Sequence, residues 1–326
     1  MSRIFVTGGT GFIGQHLVKA LLKGKEQVFV LARSRERARN LEKIGAKIVL
    51  GNLNSINFLK KNLKNIDVVY HLAALRGEWH NKKEFEKNNV LTTKNLLQAS
   101  LGQVKHFIFS SSVSVLGYPE KLPANENFPL KPETLYAKSK AAGEKYAHEF
   151  SKMGLPITIV RPSVVYGPKD YSGMILKLAK LIKKGSFPII GGGKSKLHLI
   201  YIDDLITGLI KIKSKKPNNE TYILAGKEPI EVKKLVEIIS KILKVKPPSF
   251  KLPTKIAKAA GFLGESLGLL GLFDEPVISR HKVDIFTKNQ VYSILKAEKE
   301  LNFKPRVNCQ EGMKKTLKWY QKNGLL

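Results

Sequence analysis

Short apolar runs alternate with stretches of helical spacing along the first 110 residues. Residues 4–6, 27–31, 47–50, 67–71 and 106–110 are apolar and β-branched or aromatic in character, and read as strands. Between them, apolar positions recur every three to four residues over 14–23, 35–44, 56–63 and 83–100, which predicts amphipathic helices. Strands separated by helices of this length form βαβ units and a parallel sheet. A further helix is expected over 136–152 and a strand over 155–160, running into Arg161-Pro162. Pro162 has no N–H for a ladder, so the strand should stop there.

Beyond Pro162 the pattern changes. Gly167-Pro168, Gly191-Gly192-Gly193 and Lys246-Pro247-Pro248 punctuate shorter elements, and no linker isolates an independent domain. The expected organisation is a doubly wound α/β sheet over 1–165, with a smaller, intertwined lobe over 166–326. No internal repeat is evident. The run 256–273 (IAKAAGFLGESLGLLGLF) is largely apolar but carries Lys258 and Glu265. A span needs about 20 residues with few charges. An amphipathic helix that caps a pocket or touches a membrane surface is the better reading, with a plain core helix as the ordinary outcome.

Composition narrows the picture. Hydrophobic residues are 43% of the chain, enough for a substantial core, which excludes a disordered or collagen-like chain. The formal net charge is +31, from 57 Lys+Arg against 26 Asp+Glu. That excess invites nucleic-acid or anionic-membrane binding. Yet 48 of the 57 are lysine, spread along the chain, and arginine is the residue suited to bidentate base and phosphate recognition. No specific nucleic-acid partner is expected, and peripheral membrane contact is the lesser expectation. The single cysteine, Cys309, allows neither an intrachain disulfide nor a thiolate metal site, and no metal is expected. The start MSRIFVTGG reads directly into a strand without a charged-then-apolar leader, so a cytoplasmic location is expected.

Two motifs carry chemistry. Thr7-Gly8-Gly9-Thr10-Gly11-Phe12-Ile13-Gly14 joins the first strand to the first helix. Gly8 suits a tight turn, Gly11 a close approach of backbone to a pyrophosphate, and Gly14 close packing of helix on sheet; the helix N-terminus then faces the anion. Where an NAD-selective site has an acidic residue after the second strand, this chain has Ala32-Arg33-Ser34. Arg33 and Ser34 suit a 2′-phosphate, so NADP is expected over NAD. Downstream, Tyr136 and Lys140 stand at i and i+4 on one predicted helix face. A nearby cation, from lysine or an oxidised nicotinamide, favours the phenolate and lowers the tyrosine pKa. Ser110-Ser111-Ser112 ends the fifth strand, where a hydroxyl could hold a substrate oxygen.

These residues resemble the extended branch of the short-chain dehydrogenase/reductase superfamily, the NAD-dependent epimerase/dehydratase family. The likeness covers the chain: TGGTGFIG over 7–14, Tyr70-His71-Leu72-Ala73-Ala74, the 89–97 run NVLTTKNLL, Phe107–Ser112, Arg161–Pro168 and Tyr201-Ile202-Asp203-Asp204. The resemblance implies Tyr136 as acid/base, Lys140 on the nicotinamide ribose and Ser112 orienting substrate. It also implies cofactor contacts from Gly8, Gly11, Phe12, Ile13, Gly14, Asn52, Leu53, Ala73, Pro162 and Val164. Asn52 stands where the family commonly has Asp, and Leu197 where nucleotide-sugar enzymes carry a diphosphate-binding Arg. The tail, with Ser279-Arg280-His281, is similar to hydroxysteroid dehydrogenases and dihydroflavonol reductases. Lys196, His198 and Arg280 are therefore expected at the mouth of the substrate pocket. The preferred reading is an NAD(P)-dependent oxidoreductase acting on a carbinol or ketone carbon of a small-molecule substrate. The alternatives are a nucleotide-sugar epimerase or dehydratase that recycles its cofactor, and a non-catalytic NADPH-binding subunit. The family further implies a homodimer through the helices 83–100 and 136–152, with Val90, Leu97, Ala137, Ala141 and Tyr146 as candidate contacts.

Overall fold

The structure, a computed structural model, describes residues 1–77, 80–270, 276 and 278–326. Seven strands form one parallel sheet: β1 (Arg3–Thr7), β2 (Gln27–Ala32), β3 (Lys47–Leu50), β4 (Val68–His71), β5 (His106–Ser110), β6 (Ile157–Pro162) and β7 (Thr221–Leu224). Their spatial order is β7-β6-β5-β4-β1-β2-β3. The chain steps outward from β1 to β3, then returns to β4 on the other side of β1. This reversal opens a crevice beyond the carboxyl ends of the strands, where open α/β sheets bind ligands.

Burial follows from that order. β4, β5 and β6 are buried at every position, whereas edge strand β3 is exposed or half-buried throughout. Ile4 and Val6 join one hydrophobic cluster and Phe5 the other, the alternation that puts a core on each face of a sheet. On one face Phe12–Lys23 packs with Ile202–Ser214; on the other, Thr92–Ser100 and Leu135–Lys152 cover Phe107 and Phe109. The predicted strands and helices of this half recur with ends shifted by one or two residues, and β6 does end at Pro162.

The predicted helix over 83–100 differs. It comprises Lys82–Phe85, a π-helical stretch Glu86–Leu91 and Thr92–Ser100. Asn89 in the π-helical stretch is buried. Its side-chain oxygen accepts from Leu75 N at 2.7 Å, and its amide donates to Ser139 Oγ at 2.8 Å and Leu75 O at 3.1 Å. One widened turn thus ties the loop after β4 to the helix carrying Tyr136. Of the candidate dimer contacts, Val90, Leu97 and Ala137 are buried within the single chain, and Ala141 and Tyr146 are half-buried.

The boundary at 165/166 is not a single cut. The helix Ile202–Ser214 and β7 belong to the sheet half, because Thr221–Leu224 pairs with Ile159–Pro162 and extends the sheet past β6. The smaller lobe is built from Met174–Lys183, Val232–Leu243, Thr254–Leu269 and Arg280–Thr287, with short ladders such as Ile189–Ile190 on Lys251–Leu252. The apolar run at 256–273 lies in the helix Thr254–Leu269, and its positions 271–273 fall outside the described residues. Among the described residues no helix is long and apolar enough to cross a membrane.

Candidate active site

The glycine turn is shaped by what surrounds it. Gly8 has φ +70°, and a Cβ there would sit 2.6 Å from Ala73 N. A Cβ on Gly14 would sit 2.1 Å from Gly8 O, so the first helix can lie against the turn only without a side chain. At Gly11 a Cβ would meet only Gly8 O, at 3.2 Å, which leaves room in front of the helix. Gly11 caps the helix without a side-chain acceptor, so the N–H groups of its first turn have no cap from that residue. This is a cradle that an anion can fill, and the residues fit a dinucleotide pyrophosphate. Phe12 is buried and Ile13 half-buried on the same turn.

A buried relay supports the cradle. Thr7 Oγ1 lies 2.7 Å from His71 Nδ1, and His71 Nε2 lies 2.9 Å from Thr93 Oγ1. Ala73 N donates to Thr7 Oγ1 at 3.3 Å, which seats the loop after β4 against Gly8. Burial, helped by the Lys140 charge, pushes the His71 pKa down to about 3, so the ring is a neutral spacer. After β2, Arg33 is exposed, while Ser34 caps the next helix by accepting from Arg37 N. Asn52 is exposed and its side chain accepts from Asn54 N; Leu53 is buried and its carbonyl accepts from Asn95.

The Ser–Tyr–Lys residues gather where β5 ends and the helix Leu135–Lys152 begins. Thr134 caps that helix by accepting from Ala137 N at 3.1 Å, which fixes Tyr136 in its first turn. Ser112 caps the short turn Val113–Leu116, and its hydroxyl also bears on Tyr136. Burial raises the Tyr136 pKa, opposed by the Arg76 charge and the Ser112 hydroxyl. Arg76 is thus the charged side chain that opposes burial at the phenol. Lys140 is buried, with Nζ 4.5 Å above the Phe109 ring. Burial lowers its pKa to about 8, and Glu144, one turn on, works in the opposite direction. Glu144 in turn accepts a fork from Arg161: Nε at 2.9 Å and Nη2 at 2.7 Å, both side chains buried.

A cavity of about 820 Å3 opens beside this group. Ser112, Ala137, Ser163 and Val164 line it, and the Ser163 hydroxyl is buried with no hydrogen-bond partner among the described residues. Val113, Tyr118 and Glu133 of the sheet half line it as well, and the smaller lobe adds a chiefly apolar wall of Leu178, Leu181, Phe187, Ile190, Val283 and Phe286. Lys177, Lys180, Lys184 and Lys282 also contribute to the lining. Pro162 is buried at the end of β6, next to Ser163.

The three residues expected at the pocket mouth are not among those lining this cavity. His198 is buried: Nε2 lies 2.9 Å from Gly226 O, and Nδ1 accepts from Tyr292 N at 3.2 Å. Both ring nitrogens are thus engaged by backbone groups. Lys196 is exposed on a two-residue strand opposite Glu231. Arg280 is exposed and bound to Glu265 at 2.7 Å; the helix it starts presents His281, Lys282, Val283, Ile285 and Phe286 to the cavity instead. Sequence reasoning missed Arg76, the Glu144–Arg161 pair, Ser163 and the wall helix Met174–Lys183. The apolar spacing of that helix could have flagged it; the pair could not have been found, because its partners are 17 residues apart on different elements.

A glycine cradle that fits a dinucleotide and a Ser–Tyr–Lys group thus both stand beyond the carboxyl ends of the strands of one parallel sheet. The sequence supplies the family: residues 4–225 match the NAD dependent epimerase/dehydratase family, and the chain belongs to it. It is similar to the 4-hydroxy-2-methyl-3-oxo-4-farnesyl-3,4-dihydroquinoline-1-oxide ketoreductase of Stigmatella aurantiaca, 29% identical over 318 residues, covering 95% of this chain and 94% of the relative. It is also similar to the decarboxylating sterol-4-alpha-carboxylate 3-dehydrogenase of Dictyostelium discoideum, 28% identical over 327 residues, with 96% and 99% covered. Among solved structures, the UDP-glucuronic acid 4-epimerase from Bacillus cereus in complex with NAD matches with TM-score 0.79 and 26% identity, over 98% of this chain and 99% of that one. The chain is accordingly an NAD(P)-dependent enzyme of a family that includes reductases, epimerases and dehydratases.

Proposed function

We propose that this enzyme is an NADPH-dependent reductase of a ketone borne on a bulky, largely apolar molecule, running reversibly as an alcohol dehydrogenase. The observation that carries the reading is the cavity: about 820 Å3, reached from Ser112, with chiefly apolar walls. A nucleotide sugar would need cationic or polar partners for its diphosphate, and apart from Lys177, Lys180, Lys184 and Lys282 the lining from the smaller lobe is chiefly apolar. Leu197, at the position of the family's diphosphate arginine, is fully buried in a strand. Two relatives whose names describe a farnesyl-bearing ketone and a sterol support the same choice.

In this reading the turn at Gly8, Gly11, Phe12, Ile13 and Gly14 holds the pyrophosphate. Asn52 and Leu53 lie towards the adenine, Ala73 supports the cofactor, and Pro162 and Val164 flank the carboxamide. The bound cofactor supplies the hydride. Ser112 and Tyr136 hold the carbonyl oxygen, and Tyr136 gives it a proton as the oxygen gains charge. Lys140, protonated below about pH 8, keeps a cation beside that exchange. Arg33 accounts for the NADPH preference: an exposed guanidinium after β2, with no carboxylate beside it in sequence to accept from a ribose 2′-hydroxyl.

The test pairs a panel of apolar ketones with UDP- and dTDP-sugars, following NADPH consumption and product. Stoichiometric NADPH loss with a ketone is expected. Conversion of a nucleotide sugar without net cofactor consumption would reverse the assignment. Titration of NADPH and NADH into the wild type and Arg33→Ala checks the cofactor: NADH binding as tightly as NADPH in the wild type would refute the role of Arg33.

A further inference from the structure

The helix Thr254–Leu269 is built inside out. Its inward face is made of small residues: Ala257 is fully buried, a Cβ on Gly261 would lie 2.8 Å from Arg280 N, and one on Gly264 would lie 2.6 Å from Ile278 O. These let it pack closely on Arg280–Thr287, the helix whose residues line the cavity. The large apolar side chains point the other way. Ile256, Leu263, Leu267 and Leu270 recur at i, i+7, i+11 and i+14, one stripe of the helix surface, and all are exposed, Leu263 at 61% and Leu270 at 75%. Phe250, also exposed, extends the apolar surface: its carbonyl accepts from Ile189 N, between the cavity residues Pro188 and Ile190. A soluble helix ordinarily turns such residues to the core, and a grouped apolar surface of this kind marks an interaction site.

The charge carried along this stretch of chain points to the partner. From 241 to 264 the chain holds six lysines and no carboxylate. Lys258 pairs with Asp284 at 3.0 Å, whereas Lys241, Lys244, Lys246, Lys251 and Lys255 have no ion-pair partner among the described residues. Two copies of the chain meeting through this face would bring these like charges together, while Glu265 and Asp284 beside it are already paired with Arg280 and Lys258. A bilayer surface with anionic headgroups offers both the apolar layer for the stripe and the charge for the lysines. We propose that Thr254–Leu269 is a peripheral docking helix that seats the smaller lobe, and with it the wall of the cavity, on an anionic lipid bilayer. The measurement below involves no turnover, so its outcome is independent of the ketone assignment.

The test is sedimentation of the full chain with vesicles of phosphatidylcholine alone or with about 30% phosphatidylglycerol. Partitioning onto the anionic vesicles should be at least about tenfold stronger, and L263E combined with L267E should lower it by about tenfold or more while NADPH binding is retained. A single L263W should show a blue-shifted fluorescence on adding anionic vesicles, which reports the stripe directly even if the double variant folds poorly. Absence of wild-type binding, or a double variant that binds as well as the wild type, overturns the proposal; the latter would mean that the lysines alone adsorb. A wild-type dimer by light scattering that becomes monomeric in the double variant also overturns it, since a second copy would then cover the face.

Discussion

Replacing Glu144 with glutamine should be among the costliest single changes in this protein. The wild-type carboxylate is 1% exposed, Arg161 is 5% exposed, and two bonds of 2.9 and 2.7 Å join them. Glutamine keeps the shape but leaves the guanidinium buried with neutral acceptors, Glu126 O among them. Removing one partner of such a pair costs about 3–5 kcal/mol. A second effect reaches Lys140. Its pKa falls from 10.5 to about 8 through burial, against the pull of Glu144. Below about 8 both folded and unfolded chains hold the proton, and burying that cation costs roughly 3 kcal/mol. The cost is released as pH rises from about 8 towards 10.5, where the unfolded chain binds the extra proton. Without Glu144 the folded pKa drops further, so the release begins at lower pH. The stability deficit of the variant should therefore shrink as pH approaches about 8 and level off above it. Urea denaturation followed by circular dichroism at several pH values measures both effects. The double variant Glu144→Gln with Arg161→Met removes the stranded charge and should recover part of the loss. A single-variant deficit below about 1 kcal/mol, or a double variant no more stable than the single, would refute the reasoning.

Gly14→Ala should weaken binding of the nicotinamide cofactor by about a hundredfold, near 2.7 kcal/mol, because a Cβ 2.1 Å from Gly8 O forces the cradle open; calorimetric titration checks it. Tyr136→Phe should lower turnover by at least about a hundredfold with cofactor affinity unchanged, and activity within tenfold of wild type would remove Tyr136 from proton transfer. Leu181→Asp, at a half-buried position of the wall helix, should raise KM for an apolar ketone by about tenfold or more while leaving cofactor binding intact, measured by steady-state kinetics.

The sheet half was legible because its signals are local. Strand runs, the glycine turn at 8–14, the pair at 136 and 140 and the stop at Pro162 each depend on residues close in sequence. The substrate side was not, because it depends on helical phase and on pairings between distant elements. Arg280 and His281 are adjacent, yet only His281 lines the cavity, since the helix beginning there turns about 100° per residue. His198 read as a pocket cation, and proves to be a neutral strap: burial lowers its pKa, and both nitrogens are engaged by backbone groups. Nothing in its neighbours in sequence announces Gly226 or Tyr292 as those partners.

The π-helical stretch Glu86–Leu91 makes the length of the chain at this point a constraint in its own right. Deleting one residue there would restore ordinary α-helical bonding and give a locally better helix. It would also rotate Lys82–Phe85 by about 100° against Thr92–Ser100. Phe85, whose ring stands 6.5 Å from that of Tyr136, would leave its place, and Asn89 would lose its register with Leu75 and Ser139. Substitutions at the exposed positions of this stretch can be absorbed one side chain at a time. A change in residue count cannot, so the segment should accept many compositions and only one length.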